Sequence, residues 1–300
     1  MSKSLPRLSI VIASVSGFPA IGECLASIYR QPVADAIEVV VANRCKNGVG
    51  NKILKEYPNV DLIEAPHETT IPALRALAIG ATTADVIAVL EDHCIVNNEW
   101  AEQMLNAHSG AYHVIGGSVE NAACDRLIDW AAFFCEYSQA MKPIRSGEVE
   151  SLPGNNVSYK RRTIKQFEDL IQTGVWDTVL HEKMRQANIP LYSIPSITVY
   201  HKMSNKLSWF LVQKFHFARS FAGKRFDSAM LSQRLVYGIG AISLPLILMK
   251  RIVLQTWKKG VHRRELLLSL PYLLLLFLSW SVGESAGYLF GPGSSYSRVA

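Results

Sequence analysis

The stretch VIAVLEDHCIVNNEW, residues 86–100, decides how the first two-thirds of this chain reads. Val86 to Leu90 are apolar without a break, and Glu91, Asp92 and His93 follow at once. A short apolar run of this kind suits a strand buried on both faces of a parallel sheet. Its two carboxylates and imidazole then stand at the strand's carboxyl end, where open α/β sheets bind their ligands.

The same pattern recurs upstream. RLSIVIAS (7–14) and IEVVVAN (37–43) are β-branched and nearly unbroken, VDLIEAP (60–66) is a third strand, and DVIAVLED (85–92) is the fourth. Ile21, Leu25 and Ile28 mark a helix between the first two, and Leu74, Leu77 and Ala81 mark another before the fourth. This alternation predicts an α/β fold, a mainly parallel sheet with flanking helices. Ser14, Asn43 and Glu91–His93 all fall at strand ends, so one rim is expected to carry the site.

Downstream, DWAAFFCEYSQAM (129–141) reads as an aromatic helix, and LPGNNVSYKRR (152–162) as a turn, a short strand and a basic pair. WDTVLHEKMRQAN (176–188) reads as a helix, with Asp177 near its start and Asn188 as a left-handed stop. PLYSIPSITVYHK (190–202) is expected to form a strand pair ending at His201.

After residue 202 the character changes. KLSWFLVQKFHFARSFAGKRF (206–226) places Leu207, Phe210, Leu211, Phe215, Ala218 and Phe221 on one side of a helix that also carries five cations. Such a basic amphipathic helix suits an anionic membrane surface. Two uncharged stretches follow, Leu235–Met249 of 15 residues and Leu266–Gly283 of 18, against about 20 for a full span. The loop between them holds six Lys/Arg. A single ordinary span would put that loop on the far side from residues 1–200, against the positive-inside tendency. Re-entrant or interfacial segments remove the conflict, and Pro245 and Pro271 offer places for a kink. Three segments are expected: 1–203, 204–230 and 231–300.

The bulk numbers set loose bounds. The chain has 300 residues, with 31 Lys+Arg against 25 Asp+Glu; that balance fits nucleic acid, a membrane surface or an anionic metabolite. No nucleic-acid module is seen. Five cysteines without a CxxC pair suggest a reducing compartment. The N-terminus has no signal-peptide pattern, so the first 200 residues are expected in the cytoplasm.

The ordered set LSIVIAS, EVVVAN, IPALRALAIGATTADVIAVLEDH, LPGNNVSYKR, GVWDTVLHEKMRQANIPLYSIPSITVYHK and the basic helix resembles the family 2 glycosyltransferases, which have the GT-A fold. The resemblance covers about residues 6–225. It implies a nucleotide-diphosphate sugar donor, a divalent metal (Mg or Mn) and an inverting transfer. In that family an acidic DxD-type cluster follows a buried strand, and Glu91-Asp92-His93 occupies the place here. The metal acts as a Lewis acid on the departing diphosphate. By the resemblance its ligands are drawn from Asp92, His93 and His201, and an imidazole where a carboxylate is usual tilts the preference toward Mn.

The resemblance also makes Asp177 the general base, although Trp176 stands where the family usually has a glutamate. The bare residue reading leaves Asp177 open as a helix N-cap. His181, four residues on, either tunes the base or lies at the surface, and Glu182 is the reserve base. Ser14, Asn43, Arg75, Glu91 and Asp92 are expected at the nucleotide and its diphosphate. Gly154, Asn155, Asn156, Trp176 and Arg219 are expected near the acceptor or donor sugar.

The reading is therefore an enzyme that moves one sugar to a lipid-linked or glycan acceptor at the cytosolic face of a membrane. The alternative is a degenerate GT-A domain that binds a nucleotide or membrane partner without catalysis. A nucleotidyltransferase or a dinucleotide-binding dehydrogenase would need a glycine-rich loop after the first strand, and ASVSGFPAIGE does not supply one.

Overall fold

The computed structural model describes residues 5–225 and 230–299. In chain order the elements begin with β1 (Leu8–Ser14), α1 (Ala20–Tyr29), β2 (Ile37–Asn43), α2 (Val49–Glu56), β3 (Val60–Glu64), α3 (Ile71–Ala81) and β4 (Val86–Glu91). There follow β5 (Cys94–Val96), α4 (Trp100–His108), β6 (Val114–Asn121), α5 (Leu127–Tyr137), β7 (Gly147–Val149) and β8 (Val157–Lys160). Then come α6 (Arg161–Gln166), α7 (Glu168–Gln172), α8 (Asp177–Gln186), β9 (Leu191–His201), α9 (Leu207–Arg225), α10 (Leu231–Gly240), α11 (Leu244–Lys259) and α12 (Arg263–Phe290).

The chain packs as two compact units, Met1–Glu120 with Ala140–Lys202 and Asn121–Gln139 with Met203–Ala300. Helix α5 lies in sequence inside the expected 1–203 segment yet belongs to the second unit, because it packs against α12.

The first unit is built on a nine-stranded sheet of order β3-β2-β1-β4-β8-β6-β9-β5, with β7 added on β9. Strands β1 to β4 are parallel neighbours, while β8 runs antiparallel to β4 and β6, and β9 antiparallel to β5 and β7. The parallel half matches the expectation, and the sheet as a whole is mixed. The apolar runs are buried as their composition demands: every residue of β1 is buried, as are Val86 to Leu90 of β4. Leu74 and Ala78 of α3 and Leu180 and Met184 of α8 pack with Val11, Val40 and Ile87 in one core cluster. The parallel register pairs Ser14 with Asn43, Ala13 with Glu91 and Asn43 with Glu64, which sets these strand ends on one rim.

Residues 190–202 form one strand, not two. Strand β9 pairs with β7 through Leu191–Ser193 and with β5 through Val199–His201. Pro195, which has no N–H for a ladder, falls between the two pairings. Asn188 has φ 58° and ends α8 in the left-handed conformation expected of it.

The second unit is helical. Helices α10 and α11 run on through a 3-10 turn at Ala241–Ser243, and Pro245 lies in the first turn of α11, where no N–H is required. Pro271 lies inside α12. Helix α9 buries Phe210, Ala218 and Ala222, and its buried Lys214 forms an ion pair with the half-buried Glu136 of α5. The face expected to rest on a membrane is thus partly covered by protein. A methyl group on Gly283 would collide with the Phe215 carbonyl oxygen, and one on Gly287 with that of Arg219. Two glycines four residues apart let the α9 and α12 backbones meet, as small residues do in tightly packed helix pairs.

That contact gives a test. Gly283→Leu is expected to lower unfolding stability by about 1–3 kcal/mol through overpacking, read from the denaturant midpoint. Gly240→Ala, where an added Cβ meets nothing within 4 Å, is expected to cost nothing.

Candidate active site

Glu91 ends β4, and Asp92 and His93 form the turn that leads into β5. Asp92 is fully buried. Its Oδ2 accepts hydrogen bonds from the backbone N–H groups of Val15 (2.7 Å) and Ser16 (2.6 Å), and its Oδ1 from the Ser16 hydroxyl (2.9 Å). Oδ1 also lies 3.0 Å from Nδ1 of His93. An ionised carboxylate only accepts, so that nitrogen carries the proton. Nε2 of His93 then faces the other way, 2.9 Å from Nε2 of His201 and 3.4 Å from Oε2 of Glu91. The antiparallel pairing of β5 with β9 sets Cys94 opposite His201 and so delivers the second imidazole.

Glu91, His93 and His201 each offer one donor atom, and the three atoms lie within 4.8 Å of one another. Two imidazoles and a carboxylate suit a divalent first-row ion better than magnesium, which prefers oxygen donors and water. The donor set fits such an ion, with His93 already oriented by a carboxylate on its far nitrogen, as metal-binding histidines usually are. Asp92, expected as a ligand, instead holds the loop after β1 and orients His93.

Burial alone would lower the His93 pKa, but the hydrogen bonds and charges of Asp92 and Glu91 prevail and raise it to about 10. Burial would likewise raise the Glu91 carboxyl. The hydrogen bond and charge of His93, with Arg75 and His201 nearby, hold it well below the usual carboxylate range.

Arg75, buried on α3, reaches both acids: one terminal nitrogen lies 3.2 Å from Glu91 Oε1 and the other 3.2 Å from Asp177 Oδ1. Asp177 opens α8, but the N-cap position is Trp176 and no side chain caps the helix. The Asp177 carboxylate therefore faces the site. Its other neighbour is Gly154, where a methyl group would collide with it; Gly154 leaves room for a side chain. His181 is buried, and its Nε2 lies 2.8 Å from the Tyr159 hydroxyl. Burial lowers its pKa, so the neutral ring accepts from the tyrosine. Glu182 points away and pairs with Arg185 at 3.5 Å, half exposed.

The remaining expected residues divide. Asn155 is buried, and its Oδ1 has no hydrogen-bond partner among the described residues, while its Nδ2 approaches Cys94 Sγ at 3.6 Å. Asn156 is fully committed: Nδ2 donates to the carbonyls of Ser118 and Ile197 and Oδ1 accepts from Trp100 Nε1, each at 2.9 Å. It fastens the turn to the sheet. Ser14 is buried beside Cys45, and Asn43 donates to Glu64 (2.8 Å) while its Oδ1 accepts from the Cys45 amide (3.1 Å). Arg219 belongs to the second unit, where Nε donates to the Gly291 carbonyl at 3.1 Å. Sequence reading passed over Glu64, an exposed carboxylate on the same rim, and Ser16; the ends of VDLIEAP and LSIVIASVS were the available signals.

A parallel β1–β4 half, an acidic turn after β4 and a carboxylate at the start of α8 define a GT-A glycosyltransferase fold. A family model described as Glycosyl transferase family 2 matches residues 9–167, more than half of the chain, and the protein belongs to that family. Among solved structures it is similar to S. aureus TarS 1-349, with TM-score 0.51 and 12% identity, over 93% of this chain and 90% of that one. The same protein in complex with UDP-GlcNAc gives TM-score 0.52 and 12% identity, over 93% and 91%. A longer TarS structure gives TM-score 0.50 and 12% identity over 93% of this chain and 55% of that one. At such identity the likeness is one of fold. No curated protein matches the sequence.

Two measurements probe the site. Asp92→Asn is expected to weaken binding of Mn²⁺ by about 10–100-fold, the usual effect of losing an orienting partner, as read by calorimetry. In chelator-treated protein, the stability contributed by His93 protonation is full below its ordinary value of 6.5 and is lost as pH rises through about 10. The gap in melting temperature between wild type and His93→Gln should narrow over that window.

Proposed function

We propose that the chain is an inverting glycosyltransferase that moves one sugar from a nucleotide-diphosphate donor to a hydroxyl on a lipid-linked or glycan acceptor. The observation that carries this reading is the grip of Arg75 on both Asp177 and Glu91. It joins a candidate base and a candidate metal ligand in one frame, on the rim where a GT-A fold holds its donor.

In this reading Asp177 takes the proton of the acceptor hydroxyl as its oxygen attacks C1 of the sugar, and the nucleoside diphosphate leaves from the opposite face. His181 and Tyr159 support the helix turn beneath the base. Arg75 orients Asp177 and stands within reach of negative charge on the leaving group. Glu91, His93 and His201 hold a divalent ion, which when bound neutralises charge on the departing diphosphate as a Lewis acid. Gly154 leaves space above Asp177, and the unpartnered Oδ1 of Asn155 is available to a sugar hydroxyl.

A nucleotide-sugar donor is supported by the family and by the TarS structures, whose complexes hold UDP-GlcNAc or UDP. A membrane-borne acceptor, met from the cytoplasmic side, is supported by two long helical segments, Leu231–Lys259 and Arg263–Phe290, each holding an 18-residue stretch of mean hydropathy 1.6 and 1.9 respectively. Two such segments are too few to build a conduit for a growing polymer, which favours a single transfer.

Thermal stabilisation by a panel of nucleotide sugars, with and without Mn²⁺, tests the donor claim. One donor is expected to raise the melting temperature by mass action, and no shift with any of them would sink the proposal. With that donor and a membrane extract, Asp177→Asn is expected to slow release of nucleotide by about 10²–10⁴-fold while the thermal shift persists. A donor that binds but gives no Asp177-dependent release would favour the non-catalytic reading.

A further inference from the structure

The helices of the second unit say how the chain meets a membrane. In α10 and the segment after it, Leu235, Ile239, Ile242 and Leu246 are exposed at steps of three and four residues, Leu246 to 75%. In α12 the exposed residues Leu267, Leu274, Leu278 and Val282, spaced by seven, four and four residues, form a second stripe. The two helices pack side by side, with Ser281 and Ser285 of α12 donating at 2.8 Å to the carbonyls of Ala241 and Gly238. The apolar stripes therefore have a covered side and an open side.

The covered side is polar in part. Helix α9 packs along the C-terminal half of α12 and brings Lys214, ion-paired to Glu136, and Arg219, bonded to the Gly291 carbonyl. A helix wrapped this way does not meet lipid all round. The charge-free run Leu235–Met249 reaches about 22 Å as helix, short of the roughly 30 Å hydrocarbon core, while Leu266–Gly283 reaches about 27 Å. Lys250 and Arg251 follow on the exposed surface, with exposed Leu254 and Trp257 beyond them. Lys258, Arg263 and Arg264 then crowd the loop to α12, all exposed. A spanning hairpin would carry that basic loop to the far side of the membrane, against the positive-inside tendency. An in-plane hairpin leaves every cation at headgroup level, where long side chains extend toward anionic lipid.

We propose that α10–α12 form a monotopic anchor that lies in the surface of an anionic bilayer, with the Leu/Ile stripes in the acyl boundary and Lys250, Arg251, Lys258 and Arg264 on lipid phosphates. The proposal rests on the membrane-associated reading above and specifies its geometry. A bilayer accounts for the pairing of a wide exposed apolar surface with a cationic border, and neither feature alone requires it.

The test uses the full chain in sealed, inverted membrane vesicles from expressing cells, with trypsin added outside. Cleavage at Lys258–Arg264, together with cleavage in the first unit, is the expected result. A protected loop beside a digested first unit would establish a spanning hairpin and overturn the anchor while leaving membrane association intact. A chain that does not co-sediment with the vesicles would overturn both. Purified chain is also expected to float with phosphatidylglycerol-containing vesicles and far less with pure phosphatidylcholine, and to be released at high salt. Lys250→Gln with Arg251→Gln should weaken that partition about thirtyfold; unchanged flotation on the neutral lipid would overturn the role of the cations.

Discussion

A buried carboxylate is costly unless several donors surround it, and at Asp92 four do so: two amides and a hydroxyl from the loop after β1, and the imidazole of His93. The arrangement has two effects. It fastens the end of β1 to the end of β4, which closes the rim where the parallel half-sheet meets the antiparallel half. It also fixes the orientation of the His93 ring, so that Nε2 faces His201 and Glu91. Removing the carboxylate would therefore loosen the loop after β1 and the candidate metal cluster together.

Arg75 performs the matching task on the other side of Glu91. Counting His93 as protonated, the named groups carry two positive charges, on Arg75 and His93, against three negative, on Glu91, Asp92 and Asp177. Without an ion the cluster is thus nearly neutral, which is how so many ionisable groups tolerate burial together. A divalent ion would take the place of the proton shared among the imidazoles and Glu91, so binding releases a proton and stays linked to pH. In the proposed reading that added positive charge would serve a bound diphosphate, with Arg75, held by Glu91 and Asp177, beside the cluster.

The four parallel strands were legible because each is a β-branched run ending in polar residues, and a parallel sheet sends all such ends to one rim. The antiparallel half was harder to read. Strand β9 changes partner around Pro195, a tertiary event with no local signature, and α5 leaves its sequence neighbours for the second unit because its aromatic face has α12 to pack against. At the site, Glu91, His93, His201, Arg75 and Asp177 were named from sequence and are brought together. The roles of Asp92 and Asn156 were not legible, since a carboxylate or amide looks the same in sequence whether it faces a ligand or the protein's own backbone. Glu64 was missed because one acid at the end of a short, half-exposed strand has nothing to distinguish it from a solvated surface charge.

The histidine at position 93 bears directly on whether the site is active or degenerate. Exchanging a carboxylate for an imidazole removes one negative charge and one oxygen donor, and alone this would weaken a magnesium-type site. Here the change is accompanied by a second imidazole from His201 and by an orienting carboxylate from Asp92, both at hydrogen-bonding distance. The paired geometry, with Arg75 bridging to Asp177, fits a site built on nitrogen donors beside the candidate base, as the catalytic reading requires.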